Sequence, residues 1–174
     1  LSFHLDIRSL SVDCDESVRI RENDFMKREC ARFDSVSSLS SGVIKQLGRG
    51  DIKLLPIGAD KISTVPKVYG KDLRLLYVGT FLGRHLEHTL EGMAIFRKRN
   101  PDAVVTYDIV GGGEPCDDAF IKRSIDDFGL HDSVVLHGPV PHGALAEYFD
   151  RANIGVSYIP ITDYYDFQPP TKTY

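Results

Sequence analysis

Apolar and polar positions change their spacing repeatedly along most of the chain. From about residue 51 onward, short runs rich in β-branched residues alternate with longer segments whose apolar residues recur at helical spacing. Runs of the first kind are typical of buried strands, and segments of the second kind are typical of amphipathic helices. Their alternation predicts βα units around a parallel sheet. We predict the strands at residues 73–78, 104–110, 133–137 and 154–158.

Three predicted helices follow the first three strands, each with one apolar face. The first ends at Asn100 and Pro101, because proline disfavours a helical residue before it. The second covers residues 117–128 with Gly129 as its C-terminal cap, and the third covers residues 143–152. The residues that we expect to face the core are Leu86, Leu90, Met93, Ala94, Phe120, Ile121, Ile125, Phe128, Leu145, Tyr148 and Phe149. The predicted fold class is α/β, a Rossmann-like parallel sheet with flanking helices.

The first fifty residues have a different character. A polar, charge-rich stretch at residues 13–32 predicts an exposed helix, followed by a strand at residues 34–38 and a helix at residues 40–47. A last strand and a turn are expected at residues 52–60. We therefore predict two domains: residues 1–60 as the tail of a preceding domain, and residues 61–174 as a Rossmann-like domain that is truncated at its C-terminus.

Composition and charge exclude several classes of protein. The chain has 174 residues, of which 42% are hydrophobic and 26% are charged, as in globular proteins. Because the net charge is −4, there is no basic field that would attract a nucleic acid. The basic cluster at residues 97–99 falls at a predicted helix C-terminus, where cations are favoured. The three cysteines form no CxxC pair, and the sequence contains neither a membrane span nor a signal peptide. We expect a cytoplasmic protein.

The loop after the first predicted strand is suited to an anion. Ligands of open parallel sheets lie beyond the carboxyl ends of the strands. Here Gly79, Thr80 and Gly83 precede a helix N-terminus, and Arg84 adds a guanidinium group suited to a diphosphate. His85 and His88 lie three positions apart, but the sequence indicates no third ligand beside them. We expect no metal site.

The loops after the next two predicted strands are also unusual. Gly111, Gly112 and Gly113 allow close approach of the backbone to a ligand, although a tight turn explains them equally well. The GxGxxG fingerprint is absent, which disfavours a dinucleotide-dependent dehydrogenase. In the third loop, the backbone of Val140 lies between two prolines and is free to pair with a planar base, although a structural turn explains this loop equally well. A long aromatic and proline-rich loop at residues 158–174 is also a functional candidate.

The order of these motifs resembles that of retaining glycosyltransferases with the two-Rossmann-domain GT-B fold. Residues 55–60 are similar to the family's PNGVD turn, residues 109–113 to its IVGxG turn and residues 134–140 to its VxFxGxV segment. Residues 153–160 resemble the ADIGVxPL strand, and residues 170–174 resemble the start of a PxKxxEY motif. Two positions depart from the family pattern: Ile57 replaces an asparagine, and Thr80 replaces an arginine.

This resemblance implies a nucleotide-sugar donor domain and transfer of a sugar with retention, without a cofactor. The implied donor is a UDP- or GDP-sugar, and the acceptor is a glycan, a lipid-linked group or a small molecule. Peripheral membrane association through parts outside this chain stays open. The implied catalytic residues are Arg84 and Lys172, and the implied donor-binding residues are Gly79, Thr80, Gly83, Gly111, Gly112, Gly113, His137, Gly138, Val140 and Asp166.

Two alternatives stay open at this point. A sugar-nucleotide epimerase resembles the same fold, although no set of acid and base residues for epimerisation is evident. A non-catalytic nucleotide-sugar-binding module is the other alternative. The chain corresponds to the end of the family's acceptor domain and most of its donor domain, so we expect it to be inactive by itself.

Overall fold

A computed structural model describes residues 1–59, 61–168 and 170, which form two compact units. The first unit consists of Leu1–Ala59 together with the segment that begins at Ile161, and the second consists of residues 61–160. None of the helices in the described part of the chain is both long and apolar enough to cross a membrane.

The first unit has α/β structure with a three-stranded parallel sheet. Its elements in chain order are β1 (His4–Ile7), α1 (Glu16–Cys30), β2 (Ser35–Ser38), α2 (Ser41–Leu47) and β3 (Lys53–Leu54). The three strands pair in the order β1-β2-β3, and both pairings are parallel. The predicted helices at 13–32 and 40–47 are confirmed, whereas β1 was not predicted as a strand.

Local capping explains where the two helices of the first unit begin and end. Asp15 accepts hydrogen bonds from the amides of Ser17 and Val18, which fixes the start of α1. A hydrogen bond from the Ser17 hydroxyl, together with those from the Val18 and Ser17 amides, holds the pKa of the Asp15 carboxyl below its usual range. At the end of α2, Gly48 adopts φ 70°, the left-handed conformation that glycine tolerates.

The segment from Ile161 differs from the predicted domain division, because it packs within the first unit. Phe167 contacts the hydrophobic core of that unit, and its carbonyl accepts a hydrogen bond from Ser40 Oγ at 2.8 Å. Gln168 is buried, and its Oε1 accepts from the Leu10 amide at 2.8 Å. A buried amide with such a partner ties the segment to the first unit, although residues 61–174 were predicted to form one domain.

The second unit contains the sheet that the apolar periodicity predicts. Its elements are β4 (Asp72–Thr80), α3 (Leu86–Arg99), β5 (Val104–Gly112), α4 (Pro115–Asp127), β6 (Val134–Gly138), a 3₁₀ turn (His142–Ala144), α5 (Leu145–Arg151) and β7 (Ile154–Gly155). The strand order is β6-β5-β4-β7, with every pairing parallel. The α/β Rossmann-like fold class is thereby confirmed. The last strand is shorter than predicted, since it ends at Gly155.

Both faces of this sheet are covered, as a parallel sheet requires. Helices α3 and α4 pack on one face around Tyr77, Leu90 and Ile109, while Leu76 and Val110 pack on the other face beside α5. Arg97 to Arg99 occupy the last turn of α3, as expected.

The predicted core positions of α4 were partly wrong. Its buried residues are Ile121, Ser124 and Ile125, whereas Phe120 is 49% exposed and Phe128 is 36% exposed. Phe120 lies one position off the buried stripe, so the helix rotates its ring outward. The predicted cap is confirmed: Gly129 has φ 63°, and the Leu130 amide reaches the Ile125 carbonyl at 2.9 Å.

Asn153 is expected to contribute measurably to the stability of the second unit. Its side chain is buried, accepts a hydrogen bond from the Arg74 amide and donates to the carbonyls of Val68 and Asp72. Asn153→Ala leaves these backbone groups without that partner, so we expect a loss of about 2 to 3 kcal/mol in urea unfolding. Asn100→Ala, which removes an exposed side-chain hydrogen bond to Phe96, should cost less than about 1 kcal/mol. Equal costs for the two variants would contradict this account.

Candidate functional site

Three predicted ligand loops meet at the carboxyl ends of β4, β5 and β6. In the register of the sheet, Gly79 lies opposite Gly111, and Thr80 lies opposite Gly112. On the other side of β5, Val110 pairs with Gly138 across an irregularity in the ladder. The three loops are therefore neighbours at one edge of the sheet, where ligands of open α/β sheets bind.

Gly111 is required by the approach of two backbones. A Cβ atom built on Gly111 would lie 1.9 Å from the carbonyl oxygen of Gly79, and the residue has φ 128°. Any other L-residue would meet a fixed backbone atom and would also be strained in this conformation. The glycine at this position is thus explained by the packing of β4 against β5.

Gly113 has a structural cause as well. Its amide donates to Asp118 Oδ1 at 3.2 Å, and the Glu114 amide donates to Asp117 Oδ2 at 2.9 Å. A Cβ atom on Gly113 would lie 2.5 Å from Asp117 Oδ2. The bond between Glu114 and Asp117 is part of the capping box at the start of α4. Both amides are committed to carboxylates, so the expected contact of Gly113 with a diphosphate disagrees with this geometry.

Gly112 is different from its two neighbours. A Cβ atom there would make ordinary contact with Pro139, 3.6 Å from its Cγ, so the fold tolerates a side chain at this position. The carbonyl of Gly112 accepts a hydrogen bond from the Phe81 amide at 3.2 Å, which ties the first loop to the second. Gly112 thus lies between the loops after β4 and β6, and a ligand can approach its backbone closely.

The loop after β4 turns sharply into α3. Gly83 has φ 64°, and the Arg84 amide donates to the Phe81 carbonyl at 3.0 Å. The side chain of Arg84 is partly buried, and its Nε and Nη1 atoms are inaccessible to solvent. Burial raises the pKa of Tyr77 to about 12, and the positive charge of Arg84 opposes that rise. Arg84 therefore carries its charge close to the Tyr77 hydroxyl, and an anion can reach Nε or Nη1 only after the side chain moves.

His137 holds β6 against β5. Its Nε2 lies 2.5 Å from Asp108 Oδ1, and its ring makes an edge contact with Tyr148 at a centroid distance of 4.8 Å. The imidazole is thus engaged inside the unit. Gly138 then adopts φ 67° and redirects the chain towards Val140. Contacts of His137, Gly138 and Val140 with a nucleobase stay a prediction.

The structure brings together a group of side chains that sequence reasoning missed. Glu87 joins His85 and His88, and one ligand atom from each of the three lies within 4.8 Å of the others. The two imidazole rings stack with their centroids 5.4 Å apart, and His88 Nδ1 lies 3.1 Å from the Tyr158 hydroxyl. The expectation that no third ligand lies beside the two histidines was therefore wrong. Glu87 two positions from His85 was the available signal.

A cleft of about 230 Å³ adjoins this group. Its lining residues are Phe81, Gly83, His85, Leu86, Glu87, Asp117, Phe120 and Ile121. Glu87 and Asp117 give the cleft two carboxylates, which disfavour a diphosphate at this position. The side of the sheet edge formed by Thr80, Gly112 and Val140 is better suited to an anionic ligand.

Two predicted site residues lie outside this arrangement. Asp166 belongs to the first unit, in the segment that packs around Phe167. Lys172 lies outside the described residues. Their contacts with a donor sugar or ribose stay predictions.

Solved glycosyltransferase structures share the fold of this chain. Sucrose-phosphate synthase from Thermosynechococcus elongatus is 21% identical with a TM-score of 0.67, over 93% of this chain and 46% of that one. An S. aureus TarM variant in complex with UDP and other ligands is 17% identical with a TM-score of 0.60, over 79% of this chain and 28% of that one. Anabaena HepE in complex with UDP and glucose is 17% identical with a TM-score of 0.62, over 87% and 45%.

These matches confirm the resemblance to the GT-B fold that the sequence motifs indicated. The chain spans less than half the length of each of these three structures. No protein-family model matches the sequence, and no curated protein matches it. At this level of identity the likeness establishes the fold.

Proposed function

We propose that this chain is the donor-binding part of a glycosyltransferase that transfers a sugar from a nucleoside diphosphate to an acceptor with retention. The observation that carries the proposal is the convergence of three loops at the carboxyl ends of β4, β5 and β6. Gly112 lies at their centre. The fold does not require a glycine there, because a side chain at this position would make only ordinary contact with Pro139. A glycosyltransferase needs such a place for the diphosphate of its donor.

The chemistry of the proposed reaction requires stabilisation of a leaving diphosphate. Negative charge grows on that group as the bond to the anomeric carbon breaks, and preorganised donors in a partly dry site stabilise it. Backbone groups of Gly79, Thr80 and Gly112 supply dipoles at the sheet edge. Arg84 supplies the positive charge, after its side chain rearranges from the position beside Tyr77. The nucleobase lies along the backbone from Gly138 to Val140.

Uridine diphosphate is the donor nucleotide that we propose. Both the TarM variant and HepE were solved in complex with UDP, and they share the fold of this chain. The proposed acceptor is a glycan, a lipid-linked group or a small molecule.

Nucleotide binding tests this proposal. We expect UDP to raise the melting temperature of the chain more than GDP or inorganic pyrophosphate does, because a ligand that binds only the native state stabilises it. Gly112→Ala should keep the fold but weaken UDP binding by about 1 to 3 kcal/mol, the usual cost of overpacking a close contact.

Three outcomes would contradict the proposal. A shift with UDP no larger than the shift with pyrophosphate would remove the case for a nucleotide site. Undiminished UDP affinity in Gly112→Ala would place the nucleotide elsewhere. Epimerised sugar from a UDP-sugar incubated without an acceptor would favour the epimerase alternative instead.

A further inference from the structure

The start of α3 carries a side-chain group whose chemistry differs from that of the sugar-donor site. His85, Glu87 and His88 present two imidazoles and one carboxylate, with one ligand atom from each within 4.8 Å of the others. Two ligands of the same zinc ion, each about 2.1 Å from it, lie at most about 4.2 Å apart. Side-chain rotations that move each ligand atom by less than about 1 Å therefore bring all three atoms to one ion.

The backbone supports the same interpretation. Among the residues that the structure describes, His85 is the non-glycine with a positive φ, at 47°. This left-handed conformation disfavours a residue with a Cβ atom, and such outliers occur often at ligand sites. It places the His85 ring over His88, with Nδ1 at 2.8 Å from Glu87 Oε1. Histidine is one of the residues with a Cβ atom that occur in this conformation more often than most, so the fold tolerates it here.

Charge around the group favours a cation. The N-terminus of α3 carries a partial positive charge, which opposes a metal ion there. Glu87 compensates for it, and Asp117 adds a second carboxylate to the adjoining cleft. The Tyr158 hydroxyl holds the His88 ring from the opposite side, at 3.1 Å from Nδ1. Fixing a histidine ring through its second nitrogen is how outer-shell groups orient metal ligands.

We propose that His85, Glu87 and His88 bind a divalent transition metal of the zinc class. Imidazole and carboxylate ligands suit Zn²⁺ and Co²⁺. Three protein ligands leave a fourth position that faces the cleft, open to water or to an anionic oxygen. The site does not depend on the proposed function, because none of its three ligands is assigned to the nucleotide.

Metal titration of the 174-residue chain tests the proposal. The background carries Cys14→Ser and Cys116→Ser, since both of these thiols are exposed and bind soft metals. Co²⁺ is added first and its visible absorption is recorded, and Zn²⁺ is then used to displace it. We expect one ion per chain, with tighter binding of Zn²⁺ than of Co²⁺.

Two ligand variants and one control make the test specific. His85→Asn suits the left-handed backbone and should leave the fold at least as stable, while His88→Ala changes an exposed side chain. Each should weaken metal binding by at least about 100-fold, because loss of a direct ligand exceeds the effect of losing an outer-shell partner. His131→Ala removes another exposed histidine, whose Nδ1 lies 3.4 Å from Asp126 Oδ1. It should leave the metal affinity unchanged.

The results separate clearly. Tight binding that is lost in His85→Asn and His88→Ala but kept in His131→Ala supports the site. If the chain that keeps His85, Glu87 and His88 binds neither Co²⁺ nor Zn²⁺, the proposal is overturned. A metal affinity in His85→Asn and His88→Ala that equals that of the unsubstituted chain would overturn it as well. A loss in His131→Ala as large as the loss in those two variants would also overturn it. No nucleotide is used, so these results are independent of the nucleotide-binding experiment.

Discussion

Gly111→Ala is expected to destabilise the chain by about 4 kcal/mol or more. The added Cβ would lie 1.9 Å from the carbonyl oxygen of Gly79, which is a strand backbone atom and cannot rotate away. Alanine is also strained at φ 128°. Relief requires β4 and β5 to separate at the edge where Phe81 bonds to Gly112. Since natural domains are stable by only about 5 to 15 kcal/mol, a large part of the stability would be lost.

Gly112→Ala is the matched control for this prediction. It adds the same methyl group one residue along the same strand, where the nearest atom is 3.6 Å away. We expect a change within about 1 kcal/mol in urea unfolding monitored by circular dichroism. Similar losses in the two variants would show that the contact between Gly79 and Gly111 does not have the consequence we assign to it.

Arg84→Ala is expected to weaken UDP binding by about 1.5 to 3 kcal/mol, the usual value of a hydrogen bond to a charged group. This is about 10- to 150-fold in the dissociation constant. The guanidinium of Arg84 is the group that the sequence motif suggests for the diphosphate. Isothermal titration calorimetry with UDP measures the effect directly.

Two further variants serve as controls for the Arg84→Ala measurement. Lys98→Ala removes an exposed cation from the last turn of α3 and should leave UDP affinity unchanged. Arg84→Lys keeps the charge without the planar fork and should recover part of the binding. Unchanged affinity in Arg84→Ala would mean that the side chain stays beside Tyr77 and neutralises no phosphate. The diphosphate would then depend on backbone groups alone.

Apolar spacing predicted the larger part of the fold because burial requires it. The stripe of Leu86, Leu90 and Met93 specifies a helix on one face of a sheet, and Gly129 specifies where the next helix ends. The spacing was less informative where residues at adjacent positions around the helix axis are all apolar. Phe120 lies beside Ile121 on α4, and only the packing decides which of the two faces inward.

The candidate site was predicted at the level of loops and not at the level of atoms. Sequence order placed Gly79, Gly111 and Gly138 after successive strands, and parallel pairing made them neighbours. It could not indicate that the Gly113 amide bonds to Asp118, because that contact depends on the rotation of α4. Glu87 was missed for a related reason. The left-handed backbone of His85, which turns its ring towards Glu87, has no signature in the sequence.

The most direct test of the central claim is to map UDP onto the ¹⁵N-labelled chain by NMR. Chemical-shift changes detect weak binding residue by residue, so the test does not require activity. We expect the largest changes at the amides of Thr80, Gly112 and Val140, with little change in α1. Saturable changes confined to other residues, or no change at millimolar UDP, would contradict a nucleotide site at the carboxyl ends of β4, β5 and β6.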